Sequence, residues 1–322
     1  LRVRAHAEPA SDSLRRLVVT LVASEVERVR APERASQEAA AGFLRAIVSR
    51  ELTEPAQIIA AATELGIDLE GGASMLVARA RPHVTTEEGW RTRVLAMVER
   101  GARAVVVGAL AAPVDREGPL AEIVTLLPEG DETVTARAAE SVLRELQASL
   151  PGYSFTVGRS RVSTQPRDLH RAASEALLAA NVAEGDEDRP LLAFDDTGAY
   201  RLLLPAMSED PDELQRFYAE TVEPLVAYDE QYETDLLDTV AAFLDADGNV
   251  AGTAARMFTH RHTIRYRLER VKELSGLDVG STDGREKLSL GLKAMRVLGI
   301  AQPGGPASEA GAGGGRVPRG SR

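Results

Sequence analysis

The chain has 322 residues with 49 acidic against 38 basic side chains and a formal net charge of −11, a balance that excludes coating nucleic acid through bulk charge. An apolar content of 44% is ample for real cores in roughly two or three domains, and the absence of cysteine excludes disulfides and thiolate metal sites. No apolar run approaches the roughly 18 residues of a membrane span and the start lacks the apolar centre of a signal peptide, so no membrane contact and a cytoplasmic location are expected.

In chain order, Leu14, Leu17, Val18, Leu21, Val22, Val26 and Val29 recur at helical spacing, and Pro32 is expected to end that helix. The stripe suits either a dimerising or signal-passing helix from an upstream sensor or a helix packed on its own domain. Leu1 stands where a Met would begin a chain, so a missing upstream part is expected. Helices are expected over 37–52 and 55–65, the second closed by Gly66.

The period then changes. Strands are expected over 74–80, 102–110, 121–127 and 153–158, with helices over 87–100 and 132–150 between them. The order β-α-β-β-α-β is that of the ferredoxin-like plait, an antiparallel sheet with two helices on one face. A helix over 168–182, a charged loop at 184–189, a short strand at 191–194 and helices over 211–226 and 235–245 follow.

Two short apolar faces come next. Val250, Ala254, Met257 and Phe258 form one, with Ala255 small enough for a close crossing, and Ile264, Leu268, Val271 and Leu274 form the other. Together they predict a helix-turn-helix. From Arg256 to Glu273 the basic residues Arg256, Arg261, Arg265, Arg267, Arg270 and Lys272 face only Glu269 and Glu273, a cationic stretch on an acidic chain. At about 100° per residue from Ile264, Arg261, His262, Arg265 and Tyr266 fall on the outward half and Arg267 flanks the buried stripe. In a helix-turn-helix the leading turns of the second helix meet base edges in the major groove, so these four are expected at bases or adjacent phosphates of double-stranded DNA. Thr263, Arg256 and Arg270 are expected on the backbone. Thr259 is expected to cap the helix, with His260 beside it at the DNA and open amides that suit a phosphate. A last helix over 285–298 carries Leu288, Leu292, Met295 and Leu298 on one face, with Asp283 and Glu286 suited to cap it.

The run from Thr253 to Gly276 resembles the C-terminal helix-turn-helix of the PucR/CdaR-type bacterial transcription regulators. Their usual pattern is an Ala-containing helix, then His-Arg-Asn-Thr, an aliphatic residue and Arg-Tyr-Arg-Leu. His260, Arg261, Thr263, Ile264, Arg265, Tyr266, Arg267 and Leu268 match, while Thr259 and His262 stand where the family tends to have Val and Asn. The resemblance implies a sequence-specific regulator acting as a homodimer or higher oligomer, with a small-molecule effector or an upstream sensor changing the spacing of two reading helices. It also implies that the plait is a degenerate GGDEF-like domain. The expected class is therefore α+β: a linker helix over 1–34, a helical lead-in and ferredoxin-like, GGDEF-like domain over 35–208, an all-α DNA-binding domain over 209–300, and a disordered Gly-, Ala-, Pro- and Ser-rich tail over 301–322 whose Val-Pro-Arg-Gly-Ser resembles a tag-cleavage site. The alternative reading is a protein-interaction module whose basic helix docks on an acidic partner, with a nucleotide-binding but non-catalytic cyclase-like domain.

Enzyme readings fare poorly. A nucleotide cyclase of the GGDEF type needs two glycines to admit phosphate and two carboxylates to hold a metal. The stretch Pro128-Glu129-Gly130-Asp131 offers neither pair, and Gly71-Gly72 is followed by Ala73-Ser74. No enzyme activity and no cofactor are expected. His260 and His262, placed on one helix, stand about 200° apart and cannot share an ion. His83 and His170 are isolated, Asp195-Asp196 suits a helix start better than Mg²⁺, and Gly284-Arg285-Glu286-Lys287 lacks the rest of a phosphate loop.

Overall fold

A computed structural model describes residues 12–114, 120–184, 189–209 and 211–300. The tail over 301–322 lies outside them. Mixed α and β structure comes first: α1 (Asp12–Val48), α2 (Pro55–Glu64), β1 (Ser74–Pro82), α3 (Trp90–Arg103), β2 (Leu110–Pro113), β3 (Ala121–Leu127), α4 (Glu132–Ser149), β4 (Tyr153–Arg159), α5 (Leu169–Ala183) and β5 (Leu191–Ala193). Seven helices follow: α6 (Leu204–Glu209), α7 (Pro211–Thr221), α8 (Glu223–Tyr232), α9 (Leu236–Asp245), α10 (Val250–Arg256), α11 (Arg261–Ser275) and α12 (Thr282–Val297). The described residues divide into two compact units, one up to Phe155 together with Val162–Ala173, the other Thr156–Arg161 together with everything from Ser174 on.

The five strands form one sheet in the order β2-β3-β1-β4-β5. β1 and β3 run antiparallel from Ser74 opposite Leu127 to Ala80 opposite Ala121, β2 is antiparallel to β3, and β4 is parallel to β5. Every residue of β3 and all of β1 up to Ala80 are buried, so both faces of these central strands are covered. The cover comes from α3, α4 and the C-terminal part of α1, where Ala40, Phe43, Leu44 and Ile47 are buried. Arg79 and Glu122 sit opposite each other in this register and form a buried ion pair at 2.6 Å.

Three local expectations need correction. Pro32 does not end the first helix, which runs on to Val48. Ala31, Glu33, Arg34 and Ala35 are good helix formers on either side, and their propensity carries the chain through one missing amide bond. Leu17, Val18, Leu21 and Val22 are exposed along this helix. The stretch 102–110 is not a strand. α3 continues to Arg103 because Gly101 meets the backbone of α4, where an added Cβ would lie 2.7 Å from the Val142 Cα. Residues 104–109 turn, Val107 is 92% exposed, and β2 starts only at Leu110. The expected helix over 211–226 is two helices that break at Val222, ahead of Pro224 in the first turn of α8. Asp195 and Asp196 do begin a helical segment, though a 3-10 one over Phe194–Leu203.

The second unit has its own core. Leu178 and Phe194 join Val222 at the break between α7 and α8, Leu225, Leu236 and Val240 from the bundle helices, and Leu288 and Met295 from α12. The Asn181 side-chain amide donates to the Val297 carbonyl at 2.6 Å, tying α5 to the end of α12. α9, α10, α11 and α12 pack on one another through this core, and the pair α10–α11 stands at its surface.

Candidate nucleic-acid interface

α10 begins at Asn249, whose side-chain oxygen accepts from the amides of Ala251 and Gly252 at 2.9 and 3.1 Å. Its buried side is Thr253 and Ala254, not Ala255, which is exposed. Met257 packs partly buried against the core, but Phe258 does not join it: the ring is 97% exposed and its backbone sits at φ +50°. The turn reverses through Thr259, whose amide donates to the Ala254 carbonyl at 3.0 Å.

α11 then starts at Arg261. Its cap is His260, in place of the expected Thr259: His260 has extended backbone, and its Nδ1 accepts from the His262 amide at 3.3 Å. Thr259 is taken up in the turn one residue too early to reach the first amides. Ile264, Leu268 and Val271 are buried, as the periodicity requires, and Gly276 closes the helix in the left-handed conformation. Ser281, not Asp283 or Glu286, caps α12 by accepting from the Gly284 amide at 3.0 Å.

The buried stripe turns the opposite side of α11 outward. Arg261, His262, Arg265 and Tyr266 are exposed there, Tyr266 to 70%, while Thr263 is half-buried. Among the described residues, neither Arg261 nor Arg265 has an ion-pair partner. The other cations are engaged. Arg267 reaches Asp235 at 2.9 Å and the Thr239 hydroxyl at 3.2 Å. Arg270 reaches Glu273 at 2.7 Å and lies 4.8 Å over the Tyr228 ring, and the Glu273 hydrogen bond first, then Tyr228, holds its guanidinium above its usual pKa. Lys272 pairs with Asp278 at 3.0 Å, which raises the pKa of the amine and lowers that of the carboxyl. Arg256 stands 3.7 Å from Asp245. The cationic stretch read from sequence is thus concentrated, for any external anion, on the first two turns of α11.

The two histidines also need correction. His260 lies ahead of the helix, so the 200° separation does not hold; the rings stack with centroids 5.2 Å apart. No group of three or more potential metal ligands occurs among the described residues. His83 is hydrogen-bonded to Ser154 and His170 to the Arg167 carbonyl.

The expected place of the cyclase motif shifts too. The central hairpin joins β2 to β3, so its connection is Val114 to Leu120; the stretch 128–131 instead joins β3 to α4. Asp115, Arg116, Glu117, Gly118 and Pro119 lie outside the described residues, and in sequence they hold no Gly-Gly and no paired acids. In the β3–α4 connection, Gly130 meets the Gly71 carbonyl, where a Cβ would lie 1.9 Å from the oxygen, which gives these glycines a packing role. Asp131 caps α4 by accepting from the Thr133 amide at 2.7 Å, and the Thr133 hydroxyl and amide hold its carboxyl below the usual range.

A capped second helix with an outward, partly uncommitted basic edge, crossed by a short first helix and braced by a third, defines a helix-turn-helix protein. Comparison with known proteins places it further. Residues 236–294 match the PucR C-terminal helix-turn-helix domain and residues 49–182 match the GGDEF-like domain. The chain thus carries a PucR-type helix-turn-helix behind a GGDEF-like domain, the two parts that the resemblance to PucR/CdaR-type regulators implied. It is 28% identical over 131 residues to a purine catabolism regulatory protein of Bacillus subtilis, covering 41% of this chain and 24% of that one. It is 25% identical over 127 residues to the DNA-binding transcriptional activator AdeR of the same organism, covering 39% and 30%. Over 55 residues, 17% of this chain and 14% of the other, it is 40% identical to the carbohydrate diacid regulator of Escherichia coli. The chain therefore spans less than a third of the length of each of these relatives.

Proposed function

We propose that this chain is a sequence-specific DNA-binding transcription regulator in which α11 enters the major groove with Arg261, His262, Arg265 and Tyr266 foremost. The observation that carries the reading is the free state of Arg261 and Arg265 on a helix whose other cations are paired internally. Arginine without a protein partner on the leading turns of a reading helix suits bidentate contact with guanine, and His262 and Tyr266 beside it suit a base edge or a phosphate. Thr263, Thr259 and His260 line the start of the helix, where open amides suit a backbone phosphate. Arg256 and Arg270 are backbone contacts of lower rank, since each gives up a carboxylate to reach DNA.

In this reading residues 209–300 are the DNA-binding domain and 35–208 the regulatory one. The sheet order, with β4, β1, β3 and β2 adjacent and antiparallel pairing at β1–β3 and β3–β2, supports a ferredoxin-like plait. The lack of a Gly-Gly-acid-acid sequence in the β2–β3 connection supports a non-catalytic role for it. The protein acts in the cytoplasm as a homodimer, with two copies of α11 in successive grooves and a small-molecule effector or upstream sensor setting their spacing. No described helix is long and apolar enough to cross a membrane.

Selection of genomic fragments by the purified chain at moderate salt tests the proposal. Recovery of a recurrent sequence, lost in the Arg261→Ala Arg265→Ala double variant, is expected. Retention of all duplexes alike, or of none, would overturn it in favour of a basic helix that docks on an acidic protein.

A further inference from the structure

Phe258 breaks two local rules at once. A bulky aromatic at φ +50° occupies a region that L residues other than Asn, Asp and Gly rarely adopt, and the strain is real for such a side chain. The same conformation swings the ring out of the core formed by its neighbours Met257 and Ala254 and leaves it 97% exposed. Among the described residues nothing gains from either cost: Gly or Asn at this position would relax the backbone, and a polar side chain would suit the solvent.

The surroundings say what the ring is for. It stands three residues before Arg261, so its Cα lies within about 11 Å of the first turn of α11. The residues flanking it in sequence on the outward side are Arg256, His260 and Arg261, a setting that disfavours a hydrophobic protein partner and favours a polyanion with an apolar group of its own. In duplex DNA the apolar group offered in the major groove is the thymine C5-methyl.

Resting on the DNA-binding reading above, we infer that Phe258 is a specificity residue of the interface, its ring packing on a thymine methyl at the edge of the segment read by Arg261 and Arg265. The α10–α11 turn therefore reads sequence as well as joining the helices. The strained backbone is what aims the ring.

Phe258→Asn and Phe258→Gly, made in the full chain, test this together with the duplex that wild-type protein recovers from a random-sequence pool. Both variants are expected to keep or raise the melting temperature, because the left-handed backbone is relaxed, while affinity for the recovered duplex falls about tenfold, as for loss of one anchor side chain. Replacing thymines one at a time by deoxyuridine removes single methyl groups. At least one position is expected to weaken wild type and leave Phe258→Asn unaffected. Equal affinity of wild type and Phe258→Asn, or weaker binding with an unchanged deoxyuridine profile, would overturn the inference while leaving the DNA-binding reading in place. Failure of wild type to recover any recurrent sequence would overturn both.

Discussion

Arg267 of α11 donates to Asp235 at the head of α9 at 2.9 Å, and a second nitrogen of the same guanidinium donates to Thr239 one turn later at 3.2 Å. One side chain on the flank of α11 thus holds that helix to the bundle at two points. Both charged groups are largely shielded from water, which makes removal of either more costly than loss of a surface pair. Arg267→Ala is expected to lower stability by about 2 kcal/mol in chemical denaturation. Since Arg267 does not face outward, affinity for a specific duplex, measured well below the melting temperature, is expected to be retained.

Arg265 and Arg270 lie on the same helix but answer differently. Arg265→Ala removes an uncommitted cation from the leading turns and is expected to cost about 1 to 3 kcal/mol of binding to the preferred duplex, with discrimination relaxed at one position. Arg270→Ala removes a group already held by Glu273 and Tyr228 and is expected to leave specific binding within about twofold, in line with the small worth of exposed ion pairs. Titration of both variants against the preferred duplex and one altered base pair checks this. Equal, sequence-blind losses would make Arg265 a phosphate contact only.

The close approach of α3 and α4 makes a second kind of prediction. Any side chain at Gly101 would collide with the Val142 backbone, which cannot swing aside as a flexible side chain would. Gly101→Val is expected to destabilise the sheet-containing unit by about 2 kcal/mol or more, read as an earlier loss of the Trp90 fluorescence signal on heating. Trp90 is the single tryptophan and begins α3, so it reports on that unit.

The Lys272–Asp278 pair predicts a pH dependence. Lys272 first, then the Gly280 amide, holds the Asp278 carboxyl below its ordinary value of 3.8. A carboxyl with a depressed native value contributes stability above the unfolded value and loses it as pH falls through the native one. The difference in melting temperature between wild type and Asp278→Asn is therefore expected to be present at neutral pH and to shrink below about pH 4. A constant difference down to pH 2 would remove the pair as its cause.

The buried side of α11 was legible because Ile264, Leu268 and Val271 obey one period and nothing competes with it. Individual positions at turns were harder to read. Thr259 and His260 both carry acceptors, and the choice between them rests on which residue has extended backbone. Phe258 was apolar and therefore read as core; the positive φ that turns it outward leaves no trace in composition. Three valines over 105–107 suggested a strand, and only the tertiary contact at Gly101 explains why α3 runs on past its expected end. The pairing of Arg267, Arg270 and Lys272 depends on carboxylates, two of them on other segments, that helical projection alone does not place.

That pairing also sets how salt should act on binding. Each phosphate neutralised by a lysine or arginine expels condensed counterions, steepening the fall of log affinity with log salt by about 0.9 per contact. A helix that arrives with Arg267, Arg270 and Lys272 already compensated displaces few ions, on a chain whose overall charge repels the duplex. Under the proposed DNA-binding role, recognition is therefore expected to be weighted toward base contacts over ionic attraction, with discrimination between sequences outlasting nonspecific adhesion as ionic strength rises.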